Sequence, residues 1–175
     1  MAASTERPII FPLSNPTDNA ECTAEDCFAV TQGKAIFASG SPFEPVMFNG
    51  KSYTISQCNN MFIFPGLGLG ATLGKCNAVS DGMIHRSSLS LAASLNQAER
   101  NRGQIFPSVS RIRDVSLQVA SGVIRQAAAE GLIHPTQLDI LPDLEEEGAL
   151  EAYVRNKMYD PVYVPMIDNF KNRQL

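Results

Sequence analysis

Neutral amides stand where apolar runs end in this chain. The run Pro8-Ile9-Ile10-Phe11-Pro12-Leu13 stops at Ser14-Asn15-Pro16-Thr17, and a doubled amide, Asn59-Asn60, opens onto Met61-Phe62-Ile63-Phe64-Pro65-Gly66. An asparagine side chain offers two donor hydrogens and an acceptor oxygen without a charge. It can therefore hold a carboxylate oxygen, a ribose hydroxyl or a carboxamide without disturbing a nearby redox step. Asn15, Asn59 and Asn60 are accordingly the candidate ligand contacts. Each also has a structural reading, since Asn before Pro is turn chemistry and Asn at a helix start is a good N-cap.

The other chemistry-bearing residues are less organised. Gly66-Leu67-Gly68-Leu69-Gly70-Ala71 fits the dinucleotide fingerprint G-x-G-x-x-A. Pro65 falls at the strand-to-loop junction, no acid follows near twenty positions on, and the glycines continue to Gly74. These glycines read as a helix face that packs closely against another helix. His85 and His134 lie in no nucleophile signature, and His85 reads as a surface residue. The run Glu145-Glu146-Glu147 reads as solvated, because nothing organises its oxygens around a metal, and Lys51 and Lys75 read as exposed lysines. No residue is assigned as a catalytic group or a metal ligand. Cys22, Cys27, Cys58 and Cys76 have no Cys-x-x-Cys spacing and read as reduced, buried or half-buried thiols.

With 175 residues, a net charge of −4 and a 44% apolar fraction, the chain can fold around a core and is not built to bind nucleic acid or an anionic membrane. No run approaches the roughly 20 apolar residues of a spanning helix, and no secretion signal opens the chain, so an intracellular protein is expected.

The elements that must position the amides follow from periodicity. Residues 8–13 read as a short buried strand ended by Asn15-Pro16. Thr23-x-x-Asp26 resembles a capping box, Ala24, Cys27, Phe28 and Thr31 follow helical spacing, and Gly33 sits at a left-handed C-terminal cap. Residues 34–38 make a second strand that ends at Ser39-Gly40-Ser41-Pro42. A strand, helix and strand so closely connected form a right-handed βαβ unit, which brings Asn15-Pro16 and Ser39-Gly40-Ser41 to one edge, where ligands bind in open α/β sheets. Asn49-Gly50 marks a hairpin with a type I′ turn within residues 46–53. Helices are predicted over 61–77, 81–96 and 112–130, the last with Ile112, Val115, Val119 and Val123 on one stripe before Gly131. Residues 136–175 read as a peripheral arm with a helix over 149–158 and a polar end, Lys171-Asn172-Arg173-Gln174. Two parallel strands leave open edges that invite pairing with another chain.

Four blocks carry a family resemblance: Arg7 to Thr17, Ala20 to Asp26, Phe37 to Phe43, and Asn59 to Gly66. In order and spacing they resemble the C-terminal part of malic enzymes, and the likeness covers most of residues 6–135. It implies an α/β fold: the C-terminal half of a Rossmann-like, parallel-sheet NAD(P)-binding domain over 1–135, incomplete as a stand-alone fold, and a helical arm over 136–175. Malic enzymes oxidise L-malate with NAD or NADP and decarboxylate the product to pyruvate and CO₂, aided by Mg²⁺ or Mn²⁺. The likeness implies that Asn15 and Asn59 contact malate and the nicotinamide ribose, with Asn60 beside them. It also implies L-malate and pyruvate as ligands, a homo-oligomeric enzyme, and a cytoplasmic or mitochondrial setting. The family's tyrosine acid, lysine base, metal carboxylates and principal dinucleotide fingerprint are expected upstream of Met1, so the chain reads as an inactive piece of the enzyme. Two rivals are a non-catalytic fragment pairing with full-length subunits and a piece of a malolactic enzyme. Cys58 stands where the family usually has Gly, a strained substitution if that backbone needs a positive φ.

Overall fold

Prolines at positions 8 and 12 set the length of the first strand. Neither has an N–H to give a ladder, so the regular strand β1 is only Ile9–Ile10. The extended run continues on either side of it, with Ile36 N–H on Pro8 O and Gly40 N–H on Pro12 O, both at 2.9 Å. The chain is described here by a computed structural model covering residues 3–146 and 148–162. Glu147 and the polar end Lys171-Asn172-Arg173-Gln174 lie outside the described residues.

Helix α1 (Ala24–Thr31) starts at Thr23, whose Oγ1 accepts from Asp26 N–H at 3.1 Å and donates to the Asp26 carboxylate at 2.8 Å. It ends through two left-handed residues, Gln32 and Gly33, rather than at Gly33 alone. Strand β2 (Ile36–Ser39) then runs parallel to β1, with Ile9 opposite Ile36 and Ile10 opposite Phe37. The hairpin β3 (Val46–Phe48) and β4 (Lys51–Tyr53) turns at Asn49 and Gly50, φ 49° and 76°, as a type I′ turn requires. Strand β5 (Ser56–Gln57) returns parallel to β2 on the side away from β1. Among the described residues the sheet therefore has three parallel strands, not two, in the order β1-β2-β5. The third escapes periodicity because it is short and polar.

The expectation of a buried first strand is also corrected. Pro8 and Pro12 are buried while Ile9 and Leu13 are 57% and 53% exposed, so the run alternates. A wholly apolar run suits a strand covered on both faces. Here the cover is on one side: α1 and the hairpin gather Ala24, Phe28, Phe37 and Val46 into a small core, with the Phe28 and Tyr53 rings 4.6 Å apart.

The larger core is helical. It joins α2 (Phe64–Leu73), α3 (Asp81–Ala93) and the long α5 (Ile112–Ala129), which buries Val115, Val119 and Val123 completely. A 3₁₀ turn over Asn60–Phe62 precedes α2, so the helix begins later than the predicted residue 61. Helix α3 stops at Ala93, and the chain restarts as α4 (Gln97–Asn101) behind a capping box of Asn96 and Glu99. Beyond the short α6 (Pro135–Leu138), α7 (Ala149–Lys157) buries Leu150 and Val154 fully in this same core. That helix is not peripheral. Arg125 of α5 ties it down, 2.7 Å from Glu151.

The glycine series of α2 is helix packing. A Cβ on Gly66 would lie 2.6 Å from the Val119 Cβ, and one on Gly70 2.8 Å from Ala120 O, whereas Gly68 faces open space. No helix of the described residues is long and apolar enough to cross a membrane.

Candidate functional site

The C-terminal ends of the three parallel strands converge on Gly40. Its N–H donates to Pro12 O beyond β1, and its carbonyl accepts from Gln57 Nε2 of β5 at 3.1 Å and from Asn59 Nδ2 at 3.3 Å. Only glycine fits, because a Cβ there would stand 2.5 Å from Leu13 O. One residue on, Ser41 Oγ donates to Asn15 Oδ1 at 2.6 Å. Asn15 and Asn59, 44 positions apart in sequence, thus hang from two adjacent residues of one turn. The fold brings both to the ligand edge of the sheet.

Each amide is held and still has capacity to spare. Asn15 Nδ2 donates to Leu13 O at 3.1 Å, which uses one of its two hydrogens. Asn59 Oδ1 accepts Met61 N–H at 3.0 Å, so it is also the N-cap of the 3₁₀ turn, and its Nδ2 likewise commits one hydrogen to Gly40. The structural reading of these amides therefore holds, and it leaves one hydrogen of each free for a ligand. Asn15 and Asn60 are exposed and Asn59 is half-buried. Asn60 has no side-chain hydrogen bond among the described residues, and its carbonyl accepts Ile63 N–H at 3.0 Å.

Two further supports were not legible in the sequence. Glu21 accepts Ser14 Oγ at 2.9 Å and Ser14 N–H at 3.3 Å, which fixes the loop that carries Asn15. Its own backbone N–H and the Ser14 hydroxyl and N–H hold its carboxyl below the usual range. Buried Ser56 accepts Ile105 N–H at 3.0 Å and so joins β5 to the loop after α4. That loop is anchored by Glu99, which accepts Ser108 N–H and Arg111 Nη1 at 2.9 and 2.6 Å. Burial pushes the Glu99 carboxyl up, but the Ser108 and Asn96 N–H groups and Arg111 outweigh it, so the group lies below its ordinary value. The Gly40-Ser41 pair was the available signal: small residues directly after a buried strand, before Pro42.

Cys58, next to Asn59, lies outside the left-handed region, which among non-glycine described residues holds only Gln32, Asn49 and Lys75. The substitution carries no backbone strain. Burial pushes its thiol up, and all four cysteines are free. His85 is exposed, and His134 Nδ1 lies 2.9 Å from Thr136 Oγ1, also at the surface. Among the described residues no three His, Cys, Asp or Glu side chains gather where they could hold a metal ion.

Residues 1–128 match the protein family described as malic enzyme, NAD binding domain. The chain is 43% identical over 163 residues to an NADP-dependent malic enzyme of Dictyostelium discoideum, a match covering 93% of this chain and 28% of that protein. It is 44% identical over 169 residues to the mitochondrial NAD-dependent malic enzyme 1 of Arabidopsis thaliana, covering 94% of this chain and 27% of the relative. The chain thus spans little more than a quarter of these relatives' length. In fold it resembles the crystal structure of malic enzyme from Pyrococcus horikoshii Ot3, with a TM-score of 0.55 at 21% identity over 86% of this chain and 33% of that one.

Proposed function

This chain belongs to the malic enzyme family through its NAD-binding domain, and from that premise we propose that it supplies the amide contacts for substrate and nicotinamide cofactor in NAD(P)-dependent oxidative decarboxylation of L-malate to pyruvate and CO₂. The observation that carries this reading is the joint suspension of Asn15 and Asn59 from Gly40-Ser41 at the carboxyl ends of parallel strands. Their uncommitted hydrogens are neutral donors, suited to a carboxylate or a ribose hydroxyl beside a hydride-transfer step. Asn60, exposed next to them, is assigned to the same site. NAD or NADP, when bound, would take up the hydride. The described residues offer no fit for a divalent metal, so metal, acid and base are assigned to the remainder of the enzyme, and the isolated chain is expected not to reduce NAD or NADP with malate. We assign residues 1–135 to the cofactor-binding unit and 136–175 to an arm whose α7 closes the core.

The test is a full-length malic enzyme carrying this segment as its C-terminal part. Asn15→Ala and Asn59→Ala should each lower kcat/KM for malate by about 1.5–3 kcal/mol, roughly ten- to a hundredfold, as when a hydrogen bond to a charged group is lost. His85→Ala should leave it unchanged. Lower melting temperatures with unaltered malate kinetics would make the amides purely structural.

A second reading, an interaction segment that pairs with other malic enzyme subunits, is favoured by one feature. Among the described residues strand β1 has β2 on one side only, and Ile9 and Leu13 beside it are exposed.

A further inference from the structure

A cavity of about 620 Å³ opens at the edge of the sheet opposite the amides. Its walls are the segments that enter the strands: Glu6 and Arg7 before β1, Lys34 and Ala35 before β2, Thr54 and Ile55 before β5. The hairpin adds Lys51, and the turn after α4 adds Arg100 and Arg102. Five cationic residues, Arg7, Lys34, Lys51, Arg100 and Arg102, and a single acidic one, Glu6, line it in a chain whose net charge is −4. Cations scattered over an acidic protein have no reason to collect around one concavity, and clefts lined by one sign of charge concentrate ions of the other.

Three of the five already have partners. Lys34 Nζ lies 3.3 Å from the Glu6 carboxylate, Lys51 Nζ sits 4.9 Å from the centre of the Tyr53 ring, and Arg100 Nε donates to Leu95 O at 3.1 Å. The guanidinium groups of Arg7 and Arg102 have no hydrogen-bond or ion-pair partner among the described residues, so both forks remain available for planar, bidentate contact with phosphate oxygens. The carbonyls at the C-terminal end of α1, which would repel an anion, are partly capped: Phe28 O accepts Gly33 N–H and Thr31 O accepts Lys34 N–H.

We propose that this cavity binds a small phosphorylated anion carrying at least two negative charges, at a site separate from the amide edge. The number of cations exceeds what one monoanion needs, and the cavity volume lies within the range of small-molecule sites. The site needs neither Asn15 nor Asn59, so it stands or falls independently of the function proposed above.

The probe is inorganic pyrophosphate, titrated into the 175-residue chain by calorimetry at low ionic strength. One saturable site is expected, binding pyrophosphate more tightly than orthophosphate and weakening as salt is added. Arg7→Gln combined with Arg102→Gln should weaken it at least tenfold, with the circular dichroism spectrum unchanged because both side chains are exposed. If that double variant is misfolded, Lys51→Gln, on the separate hairpin wall, should still weaken binding severalfold. Asn15→Ala should bind pyrophosphate as the parent does. No binding by the parent chain, or equal affinity in a folded Arg7/Arg102 variant, would overturn the proposal, as would equal affinity for orthophosphate.

Discussion

Substituting the glycines of α2 one at a time measures the packing that seats the amide-bearing turn on the helical core. Gly66→Ala places a methyl 2.6 Å from the Val119 Cβ and 2.7 Å from Ser116 O; Gly70→Ala places one 2.8 Å from both Ala120 O and the Val123 Cγ1. Neither neighbour can turn away, since one is backbone and the other is a branched side chain with 0% exposure. The helices must separate by most of an ångström, and overpacking of this kind costs about 1–3 kcal/mol. Against it stands the helix propensity gained on replacing glycine, about 0.5–1 kcal/mol. The net expectation for Gly66→Ala and Gly70→Ala is a loss of about 1–2 kcal/mol each. Gly68→Ala meets nothing within 4 Å and should gain the propensity term alone. Gly122→Ala is a second control, because the one close contact of its methyl is the rotatable Ser90 hydroxyl, with Ser90 Cβ and Arg86 Cγ at ordinary contact distance. Urea unfolding at low protein concentration, followed by circular dichroism, reads the order directly; by heat, roughly 2–4 °C should separate variants for each kcal/mol. If Gly66→Ala and Gly70→Ala stabilise the chain as Gly68→Ala does, α2 does not lie against α5 at backbone distance. The helix-packing account of these glycines then fails.

Glu99→Gln should destabilise the chain by about 1–3 kcal/mol, because the buried Glu99 end of the pair loses its charge-assisted bond to the half-buried Arg111. The folded Glu99 carboxyl lies below its unfolded value, so its contribution is complete above the unfolded pKa, near 4.3, and is lost as pH falls through the folded one. The parent should accordingly lose stability more steeply than Glu99→Gln below about pH 4.5 in acid titrations followed by urea midpoints; parallel curves would refute the role given to this pair. At the sheet edge, Ile9→Lys with Leu13→Lys should reduce self-association measured by light scattering, since charge on an exposed edge opposes strand pairing. An unchanged molecular mass distribution would show that β1 is not the associating surface.

The sequence by itself determined those features whose cause is local. Thr23 and Asp26 cap α1, Asn49-Gly50 adopts the one hairpin turn that needs two positive φ angles, and the Ile112 stripe matches the buried face of α5 because 3.6-residue periodicity and burial are the same fact. The parallel pairing of the first two strands also followed from the shortness of their connection. Other features rest on partners distant in the chain. Ser56–Gln57 is a strand only because β2 offers it a free edge. Ile9 and Leu13 are exposed because no second layer among the described residues covers them, and α7 lies in the core because α5 has a face to receive it. The candidate site divides along the same line. The asparagines were legible as a residue type at the ends of apolar runs. Their meeting was not, because it depends on Gly40 passing within reach of the Leu13 backbone and on the Ser41 hydroxyl finding Asn15, contacts across 26 and 27 residues that no local pattern encodes.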